Sequence, residues 1–124
     1  MSYAQLQAAW YEWLIEALCA CGVRRAVVSP GSRSTPLVLA IARFEAEGRL
    51  TASVAADERV AGFMAVGQAK MTGIPTLLVC TSGTAGSHYY PAVIEASLTG
   101  TPLIVLTADR PPELQARGAN QTID

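Results

Sequence analysis

The chain has 124 residues, 51% of them hydrophobic and 15% charged, with nine basic and ten acidic side chains and a formal net charge of -1. That balance excludes the basic footprint of a nucleic-acid binder and an acidic tail, and the length suits one domain with one core. Mean hydropathy is +0.29, rich for a small domain that must cover its own surface, so the composition predicts a buried partner surface.

No apolar run approaches the roughly 18 to 20 residues that span a bilayer. The start, MSYAQLQAAW, lacks the charged region of a secretion signal, which points to the cytoplasm. Cys19, Cys21 and Cys80 read as small buried hydrophobes in a reducing compartment. With one histidine and no CxxC pair in the sequence, there is no case for a zinc site.

In chain order, Leu6, Trp10, Trp13, Leu14, Ala17, Leu18 and Cys21 recur at helical spacing, with Gly22 placed after them as a left-handed C-cap. They predict an amphipathic first helix. A short apolar run, Ala26 to Val28, then ends in Ser29-Pro30-Gly31, and Thr35-Pro36 supplies an N-cap and a first helical residue for the next helix. The unit repeats. Leu50 to Ala55 is a weak strand leading into Asp57-Glu58 and a run from Val60 to Ala69 without any ionisable residue, which predicts a helix buried on all sides. Thr76 to Cys80 is an apolar strand leading into Thr81-Ser82-Gly83-Thr84 and a helix through Leu98, kinked or restarted at Pro91. Leu103 to Leu106 leads into Thr107-Ala108-Asp109-Arg110-Pro111-Pro112. Four apolar strands alternating with helices imply an α/β fold, a doubly wound parallel sheet with helices on both faces. The close of the sequence, Asn120 to Asp124, carries no obvious closing element and suggests part of a longer polypeptide.

In open α/β sheets ligands bind outside the carboxyl ends of the strands. That rule collects four loops: residues 29–35, 57–58, 81–84 and 107–110. In the first, backbone N–H groups at a helix N-terminus stand beside Ser32, Ser34 and Arg33, whose planar fork suits a carboxylate or phosphate. It lacks both the GxxxxGK[ST] of a P-loop and the GxGxxG of a dinucleotide fold. Asp57 and Glu58 by themselves need no more explanation than a first helical turn that favours acids. Arg110 by itself needs no more than a surface ion pair with Asp109 or Glu113. His88, ahead of Tyr89 and Tyr90, reads as part of a packed or half-exposed aromatic face rather than as a catalytic imidazole.

Together, SPGSRSTPL at 29–37, DER at 57–59, TSGTA at 81–85, YPAVIEASLTG at 90–100, LTADRPPEL at 106–114 and GANQ at 118–121 resemble the thiamine-diphosphate-dependent enzymes. Within them they are most similar to the menaquinone-pathway 2-succinyl-5-enolpyruvyl-6-hydroxy-3-cyclohexene-1-carboxylate synthases. The resemblance covers essentially the whole chain and corresponds to the N-terminal, pyrimidine-binding domain of much longer proteins. It implies that Glu58 is the glutamate that hydrogen-bonds N1′ of the cofactor's aminopyrimidine, favouring the imino form that deprotonates the thiazolium. It implies Pro30 and Thr84 as neighbours of the pyrimidine, and Ser32, Arg33, Arg110 and Gln121 as contacts of the isochorismate acceptor. The cofactor carries the chemistry: decarboxylation of 2-oxoglutarate and 1,4-addition of the succinyl carbanion equivalent to isochorismate. Two arginines at one mouth suit a dicarboxylate. In such enzymes the two halves of one cofactor are held by different subunits, which implies a homodimer or higher oligomer with the Glu58 helix at its surface.

The family's GDG motif, followed at a distance by Asn, is absent from this sequence. The ligands of diphosphate and of Mg2+ or Mn2+ are therefore expected on another domain, and this chain alone is expected to turn nothing over. The alternatives are a noncatalytic module of the same fold that binds a carboxylate metabolite or dimerises, and a decarboxylating thiamine enzyme of other specificity, which the pairing of Arg33 with Arg110 disfavours.

Overall fold

The computed structural model describes residues 2–123. Helix α1 (Tyr3–Ala20) precedes β1 (Arg25–Val28), α2 (Thr35–Ala46), β2 (Thr51–Val54), α3 (Glu58–Thr72), β3 (Thr76–Cys80), α4 (Tyr90–Thr99) and β4 (Leu103–Thr107). All three strand pairings are parallel, in the order β2-β1-β3-β4. The doubly wound sheet expected from the alternating apolar runs is therefore present. Side chains alternate across it. Ala26, Val28, Leu77 and Val79 pack against Ile15 and Cys19 of α1 and Leu37, Ile41 and Phe44 of α2. On the other face, Val27, Leu78 and Cys80 meet Ala61 and Ala65 of α3 and Tyr89. Because α2 covers one face and α3 the other, the chain reverses its winding between β1 and β3. That gap is the switch point at which such sheets take ligands.

Several elements differ from the sequence reading, each for a local reason. In α1, Leu6, Trp10 and Trp13 are 58%, 53% and 65% exposed, whereas Ile15 and Cys19 are buried with Tyr11 and Leu18 packed beside them. The helix carries two stripes at helical spacing, and the sheet takes the one without tryptophan. Ser34, not Thr35, is the N-cap of α2, because a 3-10 turn over Ser32–Ser34 starts the helix one residue early. Cys19 and Cys80 are buried, but Cys21 is exposed; all three are free.

Helix α3 is buried on one side only. Ala61, Gly62, Ala65, Val66 and Ala69 face inward, and a Cβ on Gly62 would lie 2.8 Å from that of Ala92, so the small residue sets how closely α3 and α4 approach. The other side leaves Val60, Phe63, Met64 and Met71 at 54%, 51%, 37% and 89% exposure, and α4 also exposes Tyr90, Ile94 and Leu98. The ionisable-free run therefore presents an exposed apolar stripe rather than an all-round core. A patch of this kind marks an interaction face. Among the described residues, no helix is long and apolar enough to cross a membrane.

Candidate functional site

The loops after β1 and β3 meet at the switch point. A Cβ on Gly31 would lie 2.5 Å from Thr81 Cβ and 2.7 Å from Thr81 Oγ1, so only glycine permits this contact. Ser29, 1% exposed, donates from Oγ to the Ala55 carbonyl at 2.9 Å and ties the first loop to the end of β2. Below the third loop, Tyr89 is 1% exposed and donates from its hydroxyl to the Val79 carbonyl at 2.9 Å. Burial pushes the neighbouring Cys80 thiol up to about 11, which leaves it protonated and inert at neutral pH.

The two acids that open α3 do different work. Asp57 is the N-cap: Oδ1 accepts from the Arg59 backbone N–H at 2.9 Å, and the carboxylate takes the Arg59 guanidinium at 3.0 and 2.5 Å. These bonds hold its carboxyl well below the usual carboxylate range. Among the described residues, no hydrogen bond or ion pair engages the Glu58 side chain. Its half-buried side chain lines a cleft of about 420 Å³ with Thr81, Ser82, Gly83, Thr84, Ala85, His88 and residues 121–123. In the same wall, Thr81 Oγ1 and Thr122 Oγ1 are buried without a hydrogen-bond partner. Two buried hydroxyls left unpaired beside a free carboxylate are costly unless a polar ligand or water meets them. An aminopyrimidine, with ring nitrogens and an exocyclic amine, has the donors and acceptors these groups lack. The donor set fits such a group.

Three loops converge on residues 120–121. Arg33 donates to Gln121 Oε1, Ser82 Oγ donates to the Gln121 carbonyl at 2.9 Å, and Arg110 places Nε and Nη2 on the Asn120 carbonyl at 3.0 and 2.6 Å. Gly83, at φ +78°, sits so close that a Cβ there would meet Gln121 Cα at 2.9 Å. Among the described residues, Arg110 forms no ion pair with Asp109 or Glu113; only its backbone N–H reaches Asp109.

Of the residues singled out in the sequence, Glu58, Thr84 and Gln121 share the cleft, and Arg33 and Arg110 join it through residues 120–121. Pro30 and Ser32 are exposed and do not line it. His88, read from the sequence as part of a packed or half-exposed aromatic face, does line it and is exposed. It lies in the 3-10 segment Gly83–Tyr89, which continues the third loop and lines the cleft with residues 83–85 and His88. A second hollow of about 620 Å³, lined by Gly86, Tyr90, Val93, Thr107 and Asp109 among others, adjoins the cleft across Gly83 and Ile123.

The family model described as "Thiamine pyrophosphate enzyme, N-terminal TPP binding domain" matches residues 9–124. The chain belongs to this family. As a thiamine pyrophosphate enzyme N-terminal domain, it is 58% identical over 122 residues to a 2-succinyl-5-enolpyruvyl-6-hydroxy-3-cyclohexene-1-carboxylate synthase of Myxococcus xanthus, covering 98% of this chain and 20% of that protein. Proteins of the same name from Sorangium cellulosum and Haloarcula marismortui are 54% and 52% identical, each over 100% of this chain and 20% of their own length. The chain thus spans about a fifth of the curated relatives it matches.

Proposed function

We propose that the chain is the N-terminal part of the pyrimidine-binding domain of a thiamine-diphosphate-dependent synthase, a cytoplasmic transferase of menaquinone biosynthesis. The enzyme decarboxylates 2-oxoglutarate and adds the resulting succinyl unit to isochorismate in a 1,4 manner. The observation that carries this reading is the division of labour at the start of α3, where Asp57 does the capping and Glu58 is left free on the cleft wall. When bound, thiamine diphosphate supplies the acyl-anion chemistry. Glu58 holds a proton at the pyrimidine N1′, and Thr84 and the Thr81 and Thr122 hydroxyls surround the ring. Arg33, Arg110 and Gln121 receive the acceptor's carboxylates and hydroxyls, with Ser32 and Pro30 at the outer margin. The diphosphate and its Mg2+ belong to residues outside this chain, so the domain alone is inactive.

The reading is tested by isochorismate consumption in the full-length protein carrying this domain, supplied with thiamine diphosphate, Mg2+ and 2-oxoglutarate. Consumption that requires 2-oxoglutarate supports it. A folded, cofactor-loaded protein that leaves isochorismate untouched would discard the substrate assignment, and failure to bind cofactor would favour a noncatalytic module.

Replacing Arg33 or Arg110 by Ala is expected to raise the KM for isochorismate by about 10-fold to 100-fold, the loss of a hydrogen bond to a charged group, with little change in the KM for 2-oxoglutarate. An equal rise for both substrates would argue against an acceptor role. The apolar face of α3 and α4 supports a homodimer or higher oligomer, with Phe63 and Met64 at the contact. Phe63→Glu is expected to shift the species seen by light scattering toward monomer, and a wild-type monomer at all concentrations would remove the interface.

A further inference from the structure

We propose that His88 is an acceptor-site residue, donating a hydrogen bond from its imidazole to an oxygen of the anionic substrate that enters the Glu58 cleft last. The proposal rests on the functional reading above and adds a contact that the sequence motifs do not mark.

Three observations carry it. First, the position is built rather than incidental. Tyr89, 1% exposed and bonded to the Val79 carbonyl, anchors the 3-10 segment at the next residue, and His88 lines the cleft wall together with residues 81–85 of the preceding loop and turn. Second, the ring is exposed and in no ion pair among the described residues. A side chain spent on the fold would be packed or bonded. Third, the depth of the cleft sorts its groups by ligand. Thr81 is 8% exposed, with its hydroxyl unpaired, and Glu58 is half-buried; both suit the group seated first. His88, at the exposed rim with Gln121, the partner of Arg33, stands where the later ligand arrives. An imidazole N–H there is available to a ligand rich in acceptor oxygens. The aminopyrimidine's ring nitrogen is already matched by the Glu58 carboxylate.

The test uses full-length enzyme carrying His88→Ala or His88→Asn, with steady-state kinetics in each substrate and cofactor affinity measured by titration. Because the side chain is exposed, both variants are expected to fold, and melting temperature checks this. The Ala variant is expected to raise the KM for isochorismate about 10-fold, with kcat, the KM for 2-oxoglutarate and cofactor affinity within about twofold. The Asn variant, which keeps a donor of similar reach, is expected to recover most of the loss. An unchanged KM in the Ala variant, or a loss confined to cofactor affinity, would overturn the assignment of His88 while leaving the synthase reading intact. Wild-type enzyme that consumes no isochorismate would instead overturn the synthase reading and this contact with it.

Discussion

Glu58→Gln in the full-length enzyme is expected to lower turnover by about 10²-fold to 10⁴-fold, the span for losing a positioned proton-transfer group, while its melting temperature stays near that of wild type. The substitution keeps the shape of the side chain and removes its ability to hold a proton at a ring nitrogen. Stability is spared because Asp57, not Glu58, accepts the bond from the Arg59 backbone N–H. Asp57→Ala is the control with the opposite expectation: a loss of about 1 kcal/mol of stability from the missing cap and a much smaller change in turnover. Full activity in Glu58→Gln would sink the assignment of the carboxylate whatever the other variant does.

Gly31→Ala is expected to destabilise the domain by about 1 to 3 kcal/mol and to impair the site at the same time. The added carbon would stand 2.5, 2.7 and 2.8 Å from three atoms of the Thr81 side chain. Thr81 follows the central strand β3 and is itself buried, so the first loop must move instead. Overpacking of this kind costs a few kcal/mol, and moving the loop carries Arg33 away from Gln121. Thr81→Gly in the same background removes the obstructing atoms and is expected to recover stability beyond the sum of the single effects, a coupling that a double-mutant cycle reads directly. Additive losses would mean that the two loops do not meet as described.

The strands were legible because buried parallel strands are short apolar runs bounded by turn residues, as in Thr76 to Cys80. Helix existence was legible too, but which face each helix buries was not. In α1 the tryptophans outweighed the narrower Tyr11, Ile15 and Cys19 stripe, and in α3 the absence of charge signalled burial that the sheet supplies on one side only. Glu58 could be picked out only through the company of the other loops, since its position in a first helical turn explains itself. What distinguishes it is that Asp57 has taken the structural task, a matter of side-chain geometry. His88 was out of reach for a similar reason: its place on the cleft wall follows from a 3-10 segment, Gly83–Tyr89, where the sequence pattern read as the start of one long helix.

The oxygens that hold the two arginines in the resting domain are neutral. Arg33 rests on a side-chain amide and Arg110 on a backbone carbonyl, and among the described residues neither is locked in an ion pair with an acid. A carboxylate that reached them would replace a neutral acceptor by an ionised one and would not have to separate opposite charges to do so. In the resting domain residues 120–121 hold both guanidinium groups in place without neutralising them.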